Sequence, residues 1–561
     1  MNFKYFYTII SFLLCLIGGD YSQNCKAQTI IPKHEVRAVW LTTIGGLDWP
    51  HSYSQSERSA NKQQQEIRHI LDQLQKANVN TILLQTRIRA TTLYPSALEP
   101  WDGCLSGFPG TSPGYDALKF AIDECHKRGM ELHAWIVTIP VGKWNGFGCK
   151  RLRTKYPQMI KKIGDEGYMN PESSQTADYL ARMCREIVSN YDVDGIHLDY
   201  IRYPETWNTK INREEGRRNI TRIVKNIHDN IKPIKPWVKM SCSPVGKFDD
   251  LSRYWSHGWN AYTTVCQDAQ GWLRDGLMDE LFPMMYFKGN QFFPFALDWK
   301  ENSYGRIVVP GLGIYFLSPK EKDWSIDVIE REMNVLRREG LGHAYFRSKF
   351  FTDNVKGLYD FAKDEIDTYP ALVPPMTWAS SRRPLAPIYI SLKHFADHDF
   401  LEWEGARDLS DGPYLTYNVY ASTEYPVNTN DAKNLVVVKR TSTSIKIPTV
   451  SDMTKLYYAV TAVDRYGNES LPIETTQEKK SSTMPLLKNN GQRLLLPKKE
   501  STIDASHIVI EDMQGRMLTT RLYQGTSINI KNLPDGMYTL RSLNKRGVSH
   551  RLGHFIKKTS F

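Results

Sequence analysis

One segment, Asp194-Gly-Ile-His197-Leu-Asp199-Tyr-Ile-Arg202-Tyr203-Pro204, gathers an imidazole, a carboxylate, a guanidinium and a phenol. Side chains alternate along a strand, so His197 and Asp199 share one face, with His197 one layer deeper. Arg202 and Tyr203 follow in the next turn. Such a set suits bond cleavage at a sugar's anomeric centre. That reaction builds an oxocarbenium-like centre, which a carboxylate can attack, stabilise or supply with activated water. A second carboxyl group must protonate the leaving oxygen. Cations and donors beside Asp199 predict a lowered pKa and an ionised role.

Glu205, just after the motif, is one candidate for the second carboxyl group. Asp192 and Asp194 precede the strand and read as structural. Arg87 ends an earlier apolar run and could bind a sugar hydroxyl or an acidic substituent, or pair with Asp199 or Glu35. His133 and Trp135 share one face of another run. His133 reads as substrate-binding or as a hydrogen-bonded structural residue. Trp135, Trp40, Trp101 and Tyr286 are candidates for stacking against sugar rings, since flat aromatic faces cover apolar sugar faces. Glu99 could be a rim contact. His133, His197 and Asp199 lack a spacing that demands a metal, and no cofactor is expected.

These residues need a scaffold that brings strand ends together. From Glu35 to about Tyr369, eight apolar runs alternate with helical patterns. The runs are Arg37–Thr42, Asn80–Arg87, Glu131–Val137, Gly195–Asp199, Val238–Ser243, Leu281–Tyr286, Ile307–Tyr315 and Gly342–Arg347. Amphipathic stretches between them include 61–77, 115–128, 176–190, 213–230, 325–338 and 354–367. Continuous apolar runs are the mark of strands buried on both faces. Eight such units predict an α/β fold, a (β/α)₈ TIM barrel over 35–369, with its site at the C-terminal strand ends. A doubly wound sheet is the runner-up, weakened because no Gly-x-Gly-x-x-Gly turn opens the first unit. Residues 370–387, with Pro374-Pro375 and Pro384, read as a linker. Short alternating strands then predict two small all-β sandwich-like domains, over 388–475 and 485–561.

The chain has 561 residues, 12% aromatic and 24% charged, which is globular chemistry. Lys4, the apolar stretch from Thr8 to Ile17 and a cut after Ala27 predict a signal peptide over 1–27, hence export to the periplasm, outer surface or medium. Cys15 and Cys25 lack the usual Leu-x-small context of a lipoprotein. The apolar run is too short to span a membrane. The remaining six cysteines form no Cys-x-x-Cys pair. Cys104 with Cys149 is the disulfide to test. The net charge of +11 is concentrated late: from Thr476 onward, 15 Lys and Arg face 6 Asp and Glu, a net +9. That tail could favour acidic glycans or a membrane surface, or be a solvated face. An exported protein is no candidate for nucleic acid. No phosphate loop, His-Glu-x-x-His or Gly-x-Ser-x-Gly elbow is present in context.

The barrel strongly resembles the glycosyl hydrolase-like 10 family. The resemblance runs through Glu35-Val-Arg37-Ala-Val-Trp40, Gln85-Thr-Arg87, Leu93-Tyr-Pro-Ser96, Leu98-Glu-Pro-Trp101 and Glu131-Leu-His-Ala-Trp135. It continues through Asp194–Pro204, Ser243-Pro244, Gln267-Asp268 with Trp272, and Leu281–Tyr286. It implies a glycoside hydrolase, with relatives acting on denuded peptidoglycan strands. It also implies a role for Asp268, as general acid or, on its own chemistry, as a helix N-cap. Met284-Met285, Thr138-Ile139 and Tyr200 depart from the family pattern and line the expected cleft. Tyr458–Ser470 resembles the late strand and turn of fibronectin type III modules, which implies a spacer or binding role. Leu533-Pro-Asp-Gly536-Met-Tyr538 resembles the C-terminal sorting modules of type IX export, which implies envelope attachment. Against hydrolysis stand two alternatives: a non-catalytic glycan-binding surface protein, and a transglycosylase on the same scaffold.

Overall fold

A computed structural model describes residues 30–207, 211–254, 256, 258–395, 398–410, 412–448, 456–475, 486–497, 506–512, 515–544 and 549–558. The signal peptide expected over 1–27, with Cys15 and Cys25, lies outside the described residues. The central sheet is TIM-barrel-like and parallel. Its strands are β1 (Arg37–Leu41), β2 (Thr81–Ile88), β3 (Glu131–Val137), β4 (Gly195–Asp199), β5 (Lys239–Cys242), β6 (Glu280–Leu281), β7 in two pieces (Ile307–Val308 and Gly311–Leu312) and β8 (His343–Tyr345). Each pairs with the next. The first piece of β7 pairs with β6 and the second with β8, and β8 pairs with β1. The pairing therefore returns to its start.

Two strands are shorter than the apolar runs suggest. Pro283 follows β6 and Pro310 divides β7; proline has no N–H to donate to a ladder. Helices fill the crossovers. Helix Glu57–Lys76 starts at a Ser56 capping box and buries Ile67, Ile70, Leu71 and Leu74 on one face. Gly129 and Gly340 follow helices Ala117–Lys127 and Ile326–Arg338 with φ of 72° and 71°, the left-handed stop that glycine permits. The single helix expected over 354–367 is instead three short pieces. Asn354, Lys356 and Gly357 all have left-handed φ, which interrupts helical hydrogen bonding.

The proline-rich stretch after the barrel is packed down. Leu372 bridges to His34, Met376 is buried, and Trp378 Nε1 donates to Asp279 at 2.8 Å. Beyond it stand a three-stranded sheet (Ile390–His394, His398–Trp403, Ser444–Pro448) and a four-stranded one (Leu435–Arg440, Thr416–Ser422, Tyr457–Val463, Ile473–Glu474). Trp403 and Tyr417 meet edge to face between them, ring centroids 5.5 Å apart. A last β unit pairs Met517–Leu522, His507–Asp512, Gly536–Leu543 and Ser549–Lys557, beside a two-stranded ribbon. The six described cysteines are free thiols, so the Cys104–Cys149 pairing is not made. Among the described residues no helix is long and apolar enough to cross a membrane.

Candidate active site

β4 carries the chemistry to the barrel mouth. Gly195 starts it because a Cβ there would sit 2.5 Å from His133 Nδ1. Two residues on, His197 is fully buried. Trp40 Nε1 donates to its Nε2 at 3.4 Å, and its Nδ1 lies 2.9 Å from Ser241 Oγ. Ser243 Oγ lies 2.6 Å from the same Nε2. Burial, with His133 as a second cause, holds the His197 pKa well below its ordinary value. The imidazole is therefore neutral and forms a floor under the site.

Asp199 ends the strand above that floor. Trp135 Nε1 donates to its Oδ2 at 3.0 Å, and the Tyr200 N–H donates to its Oδ1 at 2.8 Å. Tyr200 has φ 55°, a left-handed conformation that costs a non-glycine residue about 1–2 kcal/mol. That turn aims its N–H back at the carboxylate. Thr138 Oγ1 donates to the Asp199 carbonyl at 2.8 Å and fixes the backbone. Burial raises the Asp199 pKa, and the Trp135, Tyr200 and Arg202 contributions oppose it without reversing it. The lowered pKa expected from donors and cations is thus corrected: desolvation is the larger effect.

The second carboxyl group at this end is Glu205. Arg202 Nη1 donates to Glu205 Oε2 at 2.7 Å, and the Tyr200 hydroxyl donates to the same oxygen at 3.0 Å. Burial works against ionisation of Glu205, but the Arg202 and Tyr200 contacts outweigh it and hold the pKa below the ordinary value. Arg202 lies over the Tyr200 ring, 3.8 Å from its centroid, and 5.2 Å from that of Trp259. Across the mouth, the Tyr286 ring packs against Phe346 and Tyr315, with centroids 5.2 and 5.7 Å away. Its hydroxyl is buried without a partner among the described residues. Burial and the charge of Asp199 together push its pKa well up.

Other sequence candidates are not brought to this point. Arg87 is fully buried and pairs with Glu99, not Asp199 or Glu35; it also donates to the Val137 and Thr138 carbonyls. With those donors engaged it is structural, not a sugar ligand. Glu99 is likewise no rim contact. His133 is buried among Glu131 (3.2 Å) and Glu280 (3.7 Å), deeper than His197. Tyr203 is buried and receives a hydrogen bond from Asn219 at 3.3 Å, away from Asp199. Trp40 is buried, so it supports the floor and offers no open face. Trp101 is half-buried and bridges to Thr92. Trp135 is nearly buried and acts through its N–H. Asp268 caps helix Ala269–Arg274 through Gly271 N at 3.1 Å. It lines an outer groove with Arg217 and Thr221 of helix Arg213–Ile231. Its carboxylate is thus committed to the outer helical layer.

Trp259, Tyr315 and Phe346 escaped the sequence reading as site residues, and Tyr200 entered it only as a departure from the family pattern in the expected cleft. Tyr200 had a signal, since a strand that ends on a buried acid must turn at once. Trp259 lies in a loop with no periodic pattern, whereas Tyr315 and Phe346 fall at the ends of apolar runs that read only as core strands. Among the described residues no group of three or more His, Cys, Asp or Glu is placed to hold a metal ion.

Residues 35–216 and 213–316 match the glycosyl hydrolase-like 10 family. The chain is 27% identical over 506 residues to a protein named Glycosyl hydrolase YngK from Bacillus subtilis (strain 168), covering 82% of this chain and 97% of that one. It is 31% identical over 287 residues to Glycosyl hydrolase DigH from Escherichia coli (strain K12), covering 45% of this chain and 65% of that one. Among solved structures, the PgaB (BpsB) glycoside hydrolase domain from Bordetella bronchiseptica matches at a TM-score of 0.41 and 10% identity, over 59% of this chain and 98% of that one. The continuous match from residue 35 to 316 spans the barrel through β7 and includes the whole β4 motif. The chain belongs to the glycosyl hydrolase-like 10 family.

Proposed function

We propose that the barrel hydrolyses O-glycosidic bonds of a polysaccharide outside the cytoplasm, with Asp199 as the reacting carboxylate. The observation that carries this is the setting of Asp199. Its two oxygens each accept an N–H, which is how an ionised carboxylate is held, yet it is buried enough to raise its pKa. A poorly solvated carboxylate gains most when positive charge develops beside it, as at an anomeric carbon in the transition state. Glu205 is the partner carboxylate rather than Asp268, because it shares Arg202 and Tyr200 with the Asp199 turn; those contacts favour its ionised form, which suits accepting a proton from water. Trp259, 42% exposed, offers a ring to the sugar, and Tyr286 stands beside Asp199 with a hydroxyl, unpartnered among the described residues, that a sugar would have to uncover. Denuded peptidoglycan strands are the glycan this reading favours, through the family.

The β units complete the proposal. Residues 388–475 form a fibronectin type III-like spacer, supported by the three-plus-four strand arrangement. The last unit serves export or envelope attachment, following the signal peptide. The test is incubation of the mature protein with denuded peptidoglycan strands and host or plant glycans, followed by mass spectrometry. Products gaining water support hydrolysis, and transferred sugars point to a transglycosylase. Binding without any product would make the barrel a glycan-binding protein.

A further inference from the structure

A groove of about 690 Å³ opens on the rim of the barrel beside β1, β2 and β3. That is within the range of small-ligand sites. Its walls come from the loops after those strands, so it lies at the same end as Asp199. Two aromatic rings face it, Tyr53 at 60% exposure and Phe147 at 41%. Each ring rests on a glycine. A Cβ on Gly107 would lie 3.1 Å from the Tyr53 ring, and one on Gly110 would lie 2.8 Å from Phe147. The rings are therefore seated, not loose.

The charges lining the groove are mostly spent. Lys143 pairs with Glu166 at 2.7 Å, His51 pairs with Glu66, and Asp102 accepts from Thr91 Oγ1 and Cys104 N. Arg89 is different: it is exposed, and its guanidinium has no hydrogen-bond or ion-pair partner among the described residues. Its backbone is clamped all the same. A Cβ on Gly148 would lie 2.2 Å from the Arg89 carbonyl, and one on Gly142 would lie 3.0 Å from Arg89 Cβ. Two seated rings and one unspent guanidinium on a clamped backbone suit a sugar that stacks and also carries a carboxylate, because Arg binds carboxylates bidentately.

We propose that this groove is a binding subsite for a carboxylate-bearing sugar of the glycan, with Arg89 as the carboxylate ligand and Tyr53 and Phe147 as stacking faces. The proposal rests on the glycan reading above. Calorimetry on the Asp199→Asn protein tests it without turnover. The probes are denuded peptidoglycan oligomers, whose lactyl ethers are acidic, the same oligomers with carboxyls reduced to alcohols, and oligogalacturonate as a second acid source. At least one acidic probe should bind about tenfold more tightly than the reduced oligomer. Adding Arg89→Gln should erase that preference, Arg89→Lys should keep part of it, and melting temperatures should stay unchanged. No preference for either acid, or equal weakening of acidic and reduced probes by Arg89→Gln, overturns the subsite. Turnover by the unmodified protein is scored separately. Turnover without an Arg89-dependent preference removes the subsite and leaves the hydrolase reading; the preference without turnover does the reverse.

Discussion

Asp199 at the barrel mouth and the carboxylates that tie the bottom of the barrel together are treated in opposite ways. At the bottom, Asp194, Glu131, Glu35 and Asp367 are saturated; Glu280 beside His133 is the exception, buried with no hydrogen-bond partner among the described residues and with its pKa raised by burial. Asp194 meets His126 at 2.9 Å and Arg465 at 3.2 Å, and Glu131 meets Lys239 at 2.8 Å and Lys439 at 2.6 Å. Glu35 and Asp367 share Arg337, each at 2.5 Å, with Arg37 beside them. Arg465 and Lys439 come from the first β unit, so these pairs also fasten it to the barrel. Burial opposes ionisation there, but the cations win and lower the pKa of Asp194, Glu131 and Asp367. At the mouth, Asp199 has N–H donors and no directly bonded cation, its pKa goes up, and the Tyr286 hydroxyl is left unsatisfied. One end uses buried charge to hold elements together. At the other, Glu205 is paired with Arg202, but Asp199 is left under-compensated, so a transition state can supply what is missing there.

The strongest test of this contrast is Asp199→Asn. It removes the reacting charge while keeping shape, and turnover on a cleaved glycan should fall about 10³-fold or more with little change in melting temperature. Near-normal turnover by mass spectrometry would end the contrast at the mouth. Arg465→Ala should do the opposite. It strips one of two cationic partners from the buried Asp194, which keeps His126, so the cost in denaturant unfolding should be about 1–3 kcal/mol. Turnover per folded molecule should hold.

Acid should separate the ends further. The folded pKa values of Asp194, Glu131 and Asp367 are depressed, so their stabilisation is full above the unfolded carboxylate range near about 4 and is lost as pH falls below it. Thermal melting from pH 7 to pH 2 should show that loss, and Arg465→Ala should flatten it. At the mouth, the acid limb of kcat/KM should lie above the ordinary Asp value of 3.8, because Asp199 is raised. Trp135→Phe removes a donor that lowers this pKa, so the limb should move higher still. A limb that moves down or stays would break the link. Asp268→Asn should do least. Asn caps a helix about as well as Asp, within a few tenths of a kcal/mol, and turnover should be unchanged.

Much of the barrel was legible because strand and helix signals are local. The runs at Glu131–Val137 and Gly195–Asp199 coincide with β3 and β4, and Gly129 and Gly340 mark helix ends by their own backbone freedom. The breaks at Pro283 and Pro310 follow from proline chemistry, although the apolar runs conceal them. Within the site, alternation alone aligned His197 with Asp199. It could not say that His197 is closed off by Ser241, Ser243 and Trp40, since those partners come from β5, its following turn and β1.

By itself, the sequence determined the βα rhythm, the strand that carries Asp199 and the face on which it points. Tertiary structure alone decided which groups Asp199 meets. Trp135 reaches it from 64 residues away, Arg87 is taken by Glu99, and Asp268 is turned outward to cap a helix. The reason is physical. Alternation and capping are properties of neighbours in the chain, whereas burial and Coulomb interaction depend on neighbours in space. At Asp199 burial outweighs the donors and reverses the pKa shift that its local sequence predicts.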